Sequence, residues 1–358
     1  MPLDVAVQTA ADRVLSSTPS RSATQPVVID PLVDGITGDQ STATQTIQDR
    51  ILAVARSKHP QFEFRPFAGR AVSGAKLAMV GTFTPVSSQG QSAGTRDNFR
   101  FCLVMGDLQS GKAVAKSVTR AQLAGVDTTP TAFFRDSPAW TDDLMIRSYI
   151  ATCQATKVGD PIPPAYLDGI LANAIIADAI EAYNAGRFGE ALDQYRSALR
   201  TQSGDQLRAY NGIYLANWKL NRRAAAEQAF GDLADFSLAN GRLAVKLLFR
   251  PGSTGLLGEG AQTDLWLQQI AMRAARRNTC LQVSGHTSRT GSPALNERLS
   301  LLRAEYVKSR LEEIAPELRG KLIAAGFGAN NNLVGTGADD ATDALDRRVE
   351  FRVLESCA

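Results

Sequence analysis

The chain has 358 residues, of which 44% are hydrophobic and 21% charged. That balance describes a globular chain rather than a disordered one, and the length allows two or three domains. A formal net charge of +3, with no basic stripe interleaved with aromatics, excludes a nucleic-acid binder, and no apolar run reaches the ~18 residues that a membrane-spanning helix needs.

Residues 3–16 place Val5, Ala10, Ala11, Val14 and Leu15 on one rough face of an amphipathic helix. Residues 17–24 are polar and loop-like. Val27, Val28 and Ile29 form a short buried strand, followed by the turn formers Asp30, Pro31, Asp34 and Gly35. Asp30 and Asp34 are read as turn caps rather than as ligands of a divalent ion. Residues 42–57 recur at helical spacing through Ile47, Ile51, Leu52 and Val54. Residues 62–67 alternate as a strand, a short helix is expected near 72–76, and 77–84 is a strand. Residues 87–97, rich in Gly, Ser and Gln, read as a mobile hairpin tip. Two further strands, 99–105 and 112–119, flank a turn at 107–111.

This order predicts an N-terminal α/β sandwich over residues 1–156. Its opening Val28-Ile29-Asp30-Pro31 and its later Val80-Gly81-Thr82-Phe83 resemble the envelope domains of curli-secretion, flagellar-assembly and penicillin-binding-protein-activator lipoproteins. A Pro-rich linker is expected at 157–165. Residues 166–240 then resemble tetratricopeptide repeats: Tyr183, Ala191 and Tyr195 recur as Trp218, Ala226 and Phe230. Small residues at a helix crossing with aromatics around it suit closely packed antiparallel helices. Two repeats bury little surface alone, so this segment is expected to lean on another domain or to recruit protein partners. Arg187, Arg222 and Arg223 read as its solvated face.

Residues 241–358 predict a βαβαββ domain with helices on one face of a four-stranded sheet. Within it, Gly285-His286-Thr287-Ser288 turns the chain after a strand, and Gly291-Ser292-Pro293 launches a helix. Leu295, Leu299, Leu302, Tyr306, Val307 and Leu311 repeat so as to face a core, with Asn296, Ser300 and Arg303 as a stripe along its flank. An arginine beside a turn and a helix start is a good carboxylate receptor. Its bland alternative is a salt bridge to Glu297 or Glu305. Residues 330–346 read as a long exposed loop.

The stretch resembles the OmpA-like C-terminal domain, a periplasmic peptidoglycan-binding module of Gram-negative envelopes. The residues that carry the resemblance are Gly285, His286, Thr287, Gly291, Asn296, Leu299, Ser300, Arg303, Ala304 and Val307, then Gly326-Phe327-Gly328 and Arg347-Arg348-Val349-Glu350. It implies that Thr287, Ser288, Asn296, Arg303 and Arg347 bind a diaminopimelate-type stem peptide, with Arg303 holding the carboxylate. Arg347 is read as facing the pocket or as pinning the last strand. The family has Asp where Ser288 stands, so the ammonium-binding side is altered. Three outcomes remain open: weak peptidoglycan binding, a shifted carboxylate-bearing ligand, or a scaffold module that contacts proteins instead.

His59 and His286 are the only histidines and fall in different domains, so neither a metal cluster nor a His-based triad is expected. No cofactor and no enzymatic activity are expected. Cys102 and Cys153 lie in the first part of the chain, Cys280 and Cys357 in the last, which permits one disulfide in each part, with buried thiols as the alternative. Met1-Pro2-Leu3-Asp4 lacks the basic and apolar regions of a secretory signal. The resemblance nevertheless implies a periplasmic, outer-membrane-associated protein whose signal or lipid anchor has been removed.

Overall fold

The chain opens with a helix, α1 (Leu3–Ser17), and a strand, β1 (Gln25–Ile29), whose side chains alternate between two faces. The computed structural model describes residues 1–19, 24–91, 96–257, 260–333 and 343–357. The backbone divides into two units, residues 1–136 with 141–212, and residues 137–140 with 213–358.

In the first unit β1 is followed by β2 (Val33–Asp34), α2 (Thr42–Lys58), β3 (Phe62–Arg65), α3 (Gly69–Val72), β4 (Leu77–Val86), β5 (Asn98–Asp107) and β6 (Lys112–Gln122). The sheet runs β3-β1-β4-β5-β6, with β2 also beside β4. Strands β3, β1 and β4 are mutually parallel, and β4, β5 and β6 form an antiparallel meander. Val27 and Ile29 join a core made with Val14 of α1 and Ile47 of α2. Val28, pointing the other way, joins Phe67, Val72 and Ala78. Ser41 starts α2 as a capping box with Thr44.

Four helices follow in this unit: α4 (Ala132–Asp136), α5 (Leu144–Gln154), α6 (Pro164–Asp168) and α7 (Ile170–Asn184); α8 (Phe188–Leu199) and the start of α9 (Leu207–Lys219) complete it. Helices α4 and α5 had no counterpart in the sequence reading, although Asp143 caps α5 by accepting from the Ile146 N–H at 3.0 Å. The disulfide Cys102–Cys153 ties β5 to α5. The expected helix near 72–76 lies earlier, because the Lys76 N–H already donates to the Pro26 carbonyl of β1. Around the Pro-rich 157–165, Ala113 N–H donates to Asp160 O at 3.0 Å and Ile162 N–H to Gly111 O at 2.8 Å. Ile162 is buried. Residues 92–95 of the expected hairpin tip lie outside the described residues.

The turns after α7 and α9 repeat each other locally. Gly186 and Asn221 both take positive φ, 77° and 57°, and the next N–H in each case reaches five residues back, Arg187 to Ala182 and Arg222 to Asn217, both at 2.9 Å.

The second unit adds α10 (Arg223–Ala239), β7 (Arg242–Leu248), α11 (Ala261–Arg276), β8 (Cys280–Gly285), α12 (Pro293–Ile314), β9 (Leu322–Gly326) and β10 (Arg348–Leu354). The sheet order is β7-β10-β8-β9, with β10 antiparallel to both neighbours and β8 parallel to β9. From β7 onward this is the βαβαββ order that the sequence implies. Residues 137–140 pair along β7, with Trp140 N–H donating to Ala244 O at 2.9 Å. The register sets Leu354 opposite Cys280, and Cys280 is joined to Cys357.

One expectation is overturned on α12. Leu295 is 58% and Leu302 42% exposed, while Asn296, Ser300, Arg303 and Ala304 are buried. The cause is close approach. A Cβ at Gly285 would run into the Ser300 carbonyl, and one at Gly326 would lie 2.7 Å from both Leu301 N and Ser300 Oγ. The helix backbone therefore rests on the strand ends, where only small side chains fit and loop carbonyls demand donors. The 330–346 stretch is corrected in part: Asp343–Asp346 is a 3-10 turn with Asp343 and Asp346 fully buried, and residues 334–342 lie outside the described residues.

Closing a loop across 51 residues with Cys102–Cys153 should stabilise the first unit by about 2–4 kcal/mol. The Cys102→Ala/Cys153→Ala variant is expected to lose that amount in urea unfolding followed by circular dichroism.

Candidate functional site

Four strand ends meet in one row of the second unit. Arg348 pairs with Leu248, Val349 with Gly285, and Gly285 with Gly326. The loops after β7, β8 and β9 leave from this row, and α12 starts beside it with Ser292 accepting from the Leu295 N–H. The five residues singled out from the sequence, Thr287, Ser288, Asn296, Arg303 and Arg347, all belong to this region, and all are buried.

Their roles differ. Arg303 has no exposed surface. Its Nε donates to Ser253 O at 3.0 Å, Nη1 to His286 O at 3.1 Å and Nη2 to Arg250 O at 3.0 Å. Its guanidinium also lies 5.1 Å from the Phe249 ring centroid. One side chain thus holds the loop after β7 against the loop after β8. Arg347 pins the same region from the other chain direction: its Nε donates to Phe249 O at 3.2 Å. Thr287 is held by its backbone, with N–H to Gly328 O at 3.0 Å and its carbonyl accepting from Asn332 Nδ2 at 2.9 Å. Its hydroxyl has no hydrogen-bond partner among the described residues, and neither has the Asn296 amide. Ser300, read from sequence as part of the stripe and of the resemblance, is structural: its Oγ donates to Glu297 O at 2.8 Å and accepts from Gly328 N at 2.9 Å.

Sequence reading had made His286 a turn residue. Its N–H does donate to Arg348 O at 2.9 Å. The ring stacks on Phe327 at 5.5 Å between centroids, and neither ring nitrogen has a partner among the described residues. Burial, then the Arg348 cation, pushes its pKa down to about 3. Nearby, Glu350 accepts from Arg348 Nε at 2.7 Å and Arg242 Nη2 at 2.6 Å. Burial opposes its ionisation, but the two arginines win and hold its pKa at about 2. This charged pair of strands was missed from sequence; the alternation Arg348, Glu350, Arg352 along β10 was its signal.

In the first unit Asp34 is a turn cap, accepting from Ile36 N at 2.7 Å and Thr37 N at 2.9 Å. Asp30 is not. It is buried, accepts from Tyr166 Oη at 2.9 Å, and is pushed up to about 7 by burial against the pull of Arg208. No cluster of three metal-ligating side chains occurs among the described residues. No helix among them is long and apolar enough to cross a membrane.

Residues 248–344 match the model of the OmpA family, and an OmpA-family domain therefore occupies that part of the second unit. Arg347 falls just beyond the match. Among solved structures, the chain is similar to the peptidoglycan-associated lipoprotein from Burkholderia pseudomallei, at 24% identity over 33% of this chain and 93% of that one, with a TM-score of 0.28. It is similar to a putative MotB-like protein from Desulfovibrio vulgaris at 25% identity, over 32% of this chain and 73% of that one, with a TM-score of 0.27. It is also similar to the cell wall anchor of the T6SS from Pseudomonas aeruginosa at 25% identity, over 30% of this chain and 76% of that one, with a TM-score of 0.25. No curated protein matches the chain.

The two depressed pKa values separate in pH. Native His286 stays neutral while the unfolded histidine takes up a proton below about 6.5, so stability falls by up to about 1.4 kcal/mol per pH unit from there down to about 3. Glu350 contributes stability above its unfolded value of 4.5 that is lost as pH falls through about 2. His286→Phe keeps the stack on Phe327 and should flatten the stability profile between pH 6.5 and 4.5, as read by urea midpoints at half-unit pH steps.

Proposed function

We propose that the chain is a non-enzymatic envelope protein whose OmpA-family domain docks on the carboxylate-bearing stem peptides of peptidoglycan. The observation that carries this reading is the family match over 248–344, the segment that holds Thr287, Ser288, Asn296 and Arg303. The buried polar groups at the strand ends support it. The Thr287 hydroxyl and the Asn296 amide are donors with no described partner, and Arg303 supplies positive charge while fixing the loops around them. In this reading Ser288 stands at the ammonium side and Arg347 at the rim. The protein works in the periplasm, associated with the outer membrane. The α7–α8 and α9–α10 hairpins, read as tetratricopeptide-like, and the N-terminal α/β domain recruit envelope proteins. A site of modest affinity suffices on a repeating polymer, because neighbouring stem peptides raise the effective concentration.

A second reading, a scaffold domain that contacts protein instead of peptidoglycan, is favoured by two observations. Three donor groups of Arg303 are already engaged with carbonyls. Leu295 and Leu302, two turns apart on one face of α12, and Leu301 beside them in sequence are exposed.

Restoring a carboxylate at position 288 separates the two. A serine in place of a charged partner forfeits roughly 1.5–3 kcal/mol, about one to two decades of affinity. Titration of a diaminopimelate-containing tripeptide into wild type and Ser288→Asp should show tightening by about that factor. Unchanged affinity contradicts the pocket, and absence of binding in both favours the scaffold.

A further inference from the structure

The first unit contains a cleft of about 540 Å³ that lies outside the OmpA-family match. Its position follows from the strand order. β1 and β3 are parallel neighbours. β1 leads through β2 into α2, whose Ile47 and Ile51 pack on the face that carries Val27 and Ile29. β3 continues into α3, whose Val72 packs on the opposite face with Val28. When two adjacent parallel strands send their continuations to opposite faces, a crevice opens outside their carboxyl ends, and in open α/β sheets that is where ligands bind. Ile29 and Leu32 from the end of β1, and Phe64 and Phe67 from the end of β3, line this cleft. Its volume falls in the range of small-ligand sites, about 300–1,000 Å³.

The polar lining is specific in type. Gln40 is 7% exposed and lines the cleft, and its side-chain amide makes no hydrogen bond to any described residue. An amide so placed offers a donor and an acceptor together, the complement of a peptide group. Gln45 and Gln48 add two more amides from α2. Helix α7 contributes Asp178 and Glu181, one turn apart on the same wall. Burial, then the neighbouring Glu181 charge, raises the Asp178 carboxyl above its ordinary value, against a backbone hydrogen bond from Gly69. Arg65 does not neutralise this wall, because its guanidinium holds Glu63 through two 3.1 Å hydrogen bonds. Arg56 lies on α2, a different wall.

We propose that this cleft binds a short peptide segment carrying an ammonium group. The glutamine amides pair with its peptide groups, Asp178 and Glu181 receive the ammonium, and Phe64 and Phe67 cover its apolar stem. This site is independent of the peptidoglycan reading, since it lies wholly in the other unit.

The test is calorimetric titration of the full chain with acetyl-Ala-Lys-Ala-amide and acetyl-Ala-Gln-Ala-amide. The lysine peptide should bind at least about tenfold more tightly. The preference should disappear in Asp178→Asn/Glu181→Gln, both partly exposed positions where folding survives the change. Gln40→Leu should weaken both peptides, with an unaltered thermal unfolding profile confirming that the unit is intact. Absence of saturable binding by wild type up to about 10 mM, or a lysine preference that persists in the double variant, overturns the proposal.

Discussion

The site end of the C-terminal unit depends on one buried guanidinium. Arg303 has no exposed surface and spends its nitrogens on the carbonyls of Arg250, Ser253 and His286. Taking that charge out of water is expensive unless its N–H groups are satisfied, and leaving three loop carbonyls unpaired would be costly in turn. The arginine and the loops therefore require each other. Everything around them serves that fit. Gly285 and Gly326 let α12 sit on the strand ends, and Ser300 closes the loop after β9 through Gly328. The domain thus presents a rigid polar rim at the ends of its strands, the kind of preorganised surface that small peptide ligands need.

Much of this unit was legible in the sequence. Period-two runs and the Gly285 and Gly291 turns located the strands and α12, and the spacing of Asn296, Ser300 and Arg303 grouped them on one stripe. What the pattern misassigned was the direction of that stripe. Apolar periodicity assumes that a helix buries its leucines against side chains. Here the first half of α12 meets backbone, so the polar stripe goes inward and Leu295 and Leu302 go outward. No window of local sequence contains that information, because it depends on where Gly285 and Gly326 bring the sheet.

The first unit shows the same boundary in another form. Its strands and α2 followed from alternation and helical spacing, whereas α5 was hidden between proline-bearing segments despite its Asp143 cap. The cleft is less legible still. Gln40, Phe64 and Asp178 are far apart in the chain and share no motif, and only the crossing order of β1, β3 and β4 gathers them. Asp30 makes the point for a single residue: as part of a turn it read as a cap, yet Tyr166 from a distant helix buries it and takes its side chain instead.

The central claim is that the OmpA-family domain recognises the carboxylate that distinguishes a diaminopimelate stem peptide. It is tested most directly by co-sedimentation of the full chain with purified sacculi, one set carrying diaminopimelate and one carrying lysine at the third stem position. Retention on the first and several-fold less on the second, at equal ionic strength, is the result expected. Equal retention on both, or none on either at low salt, would contradict the account.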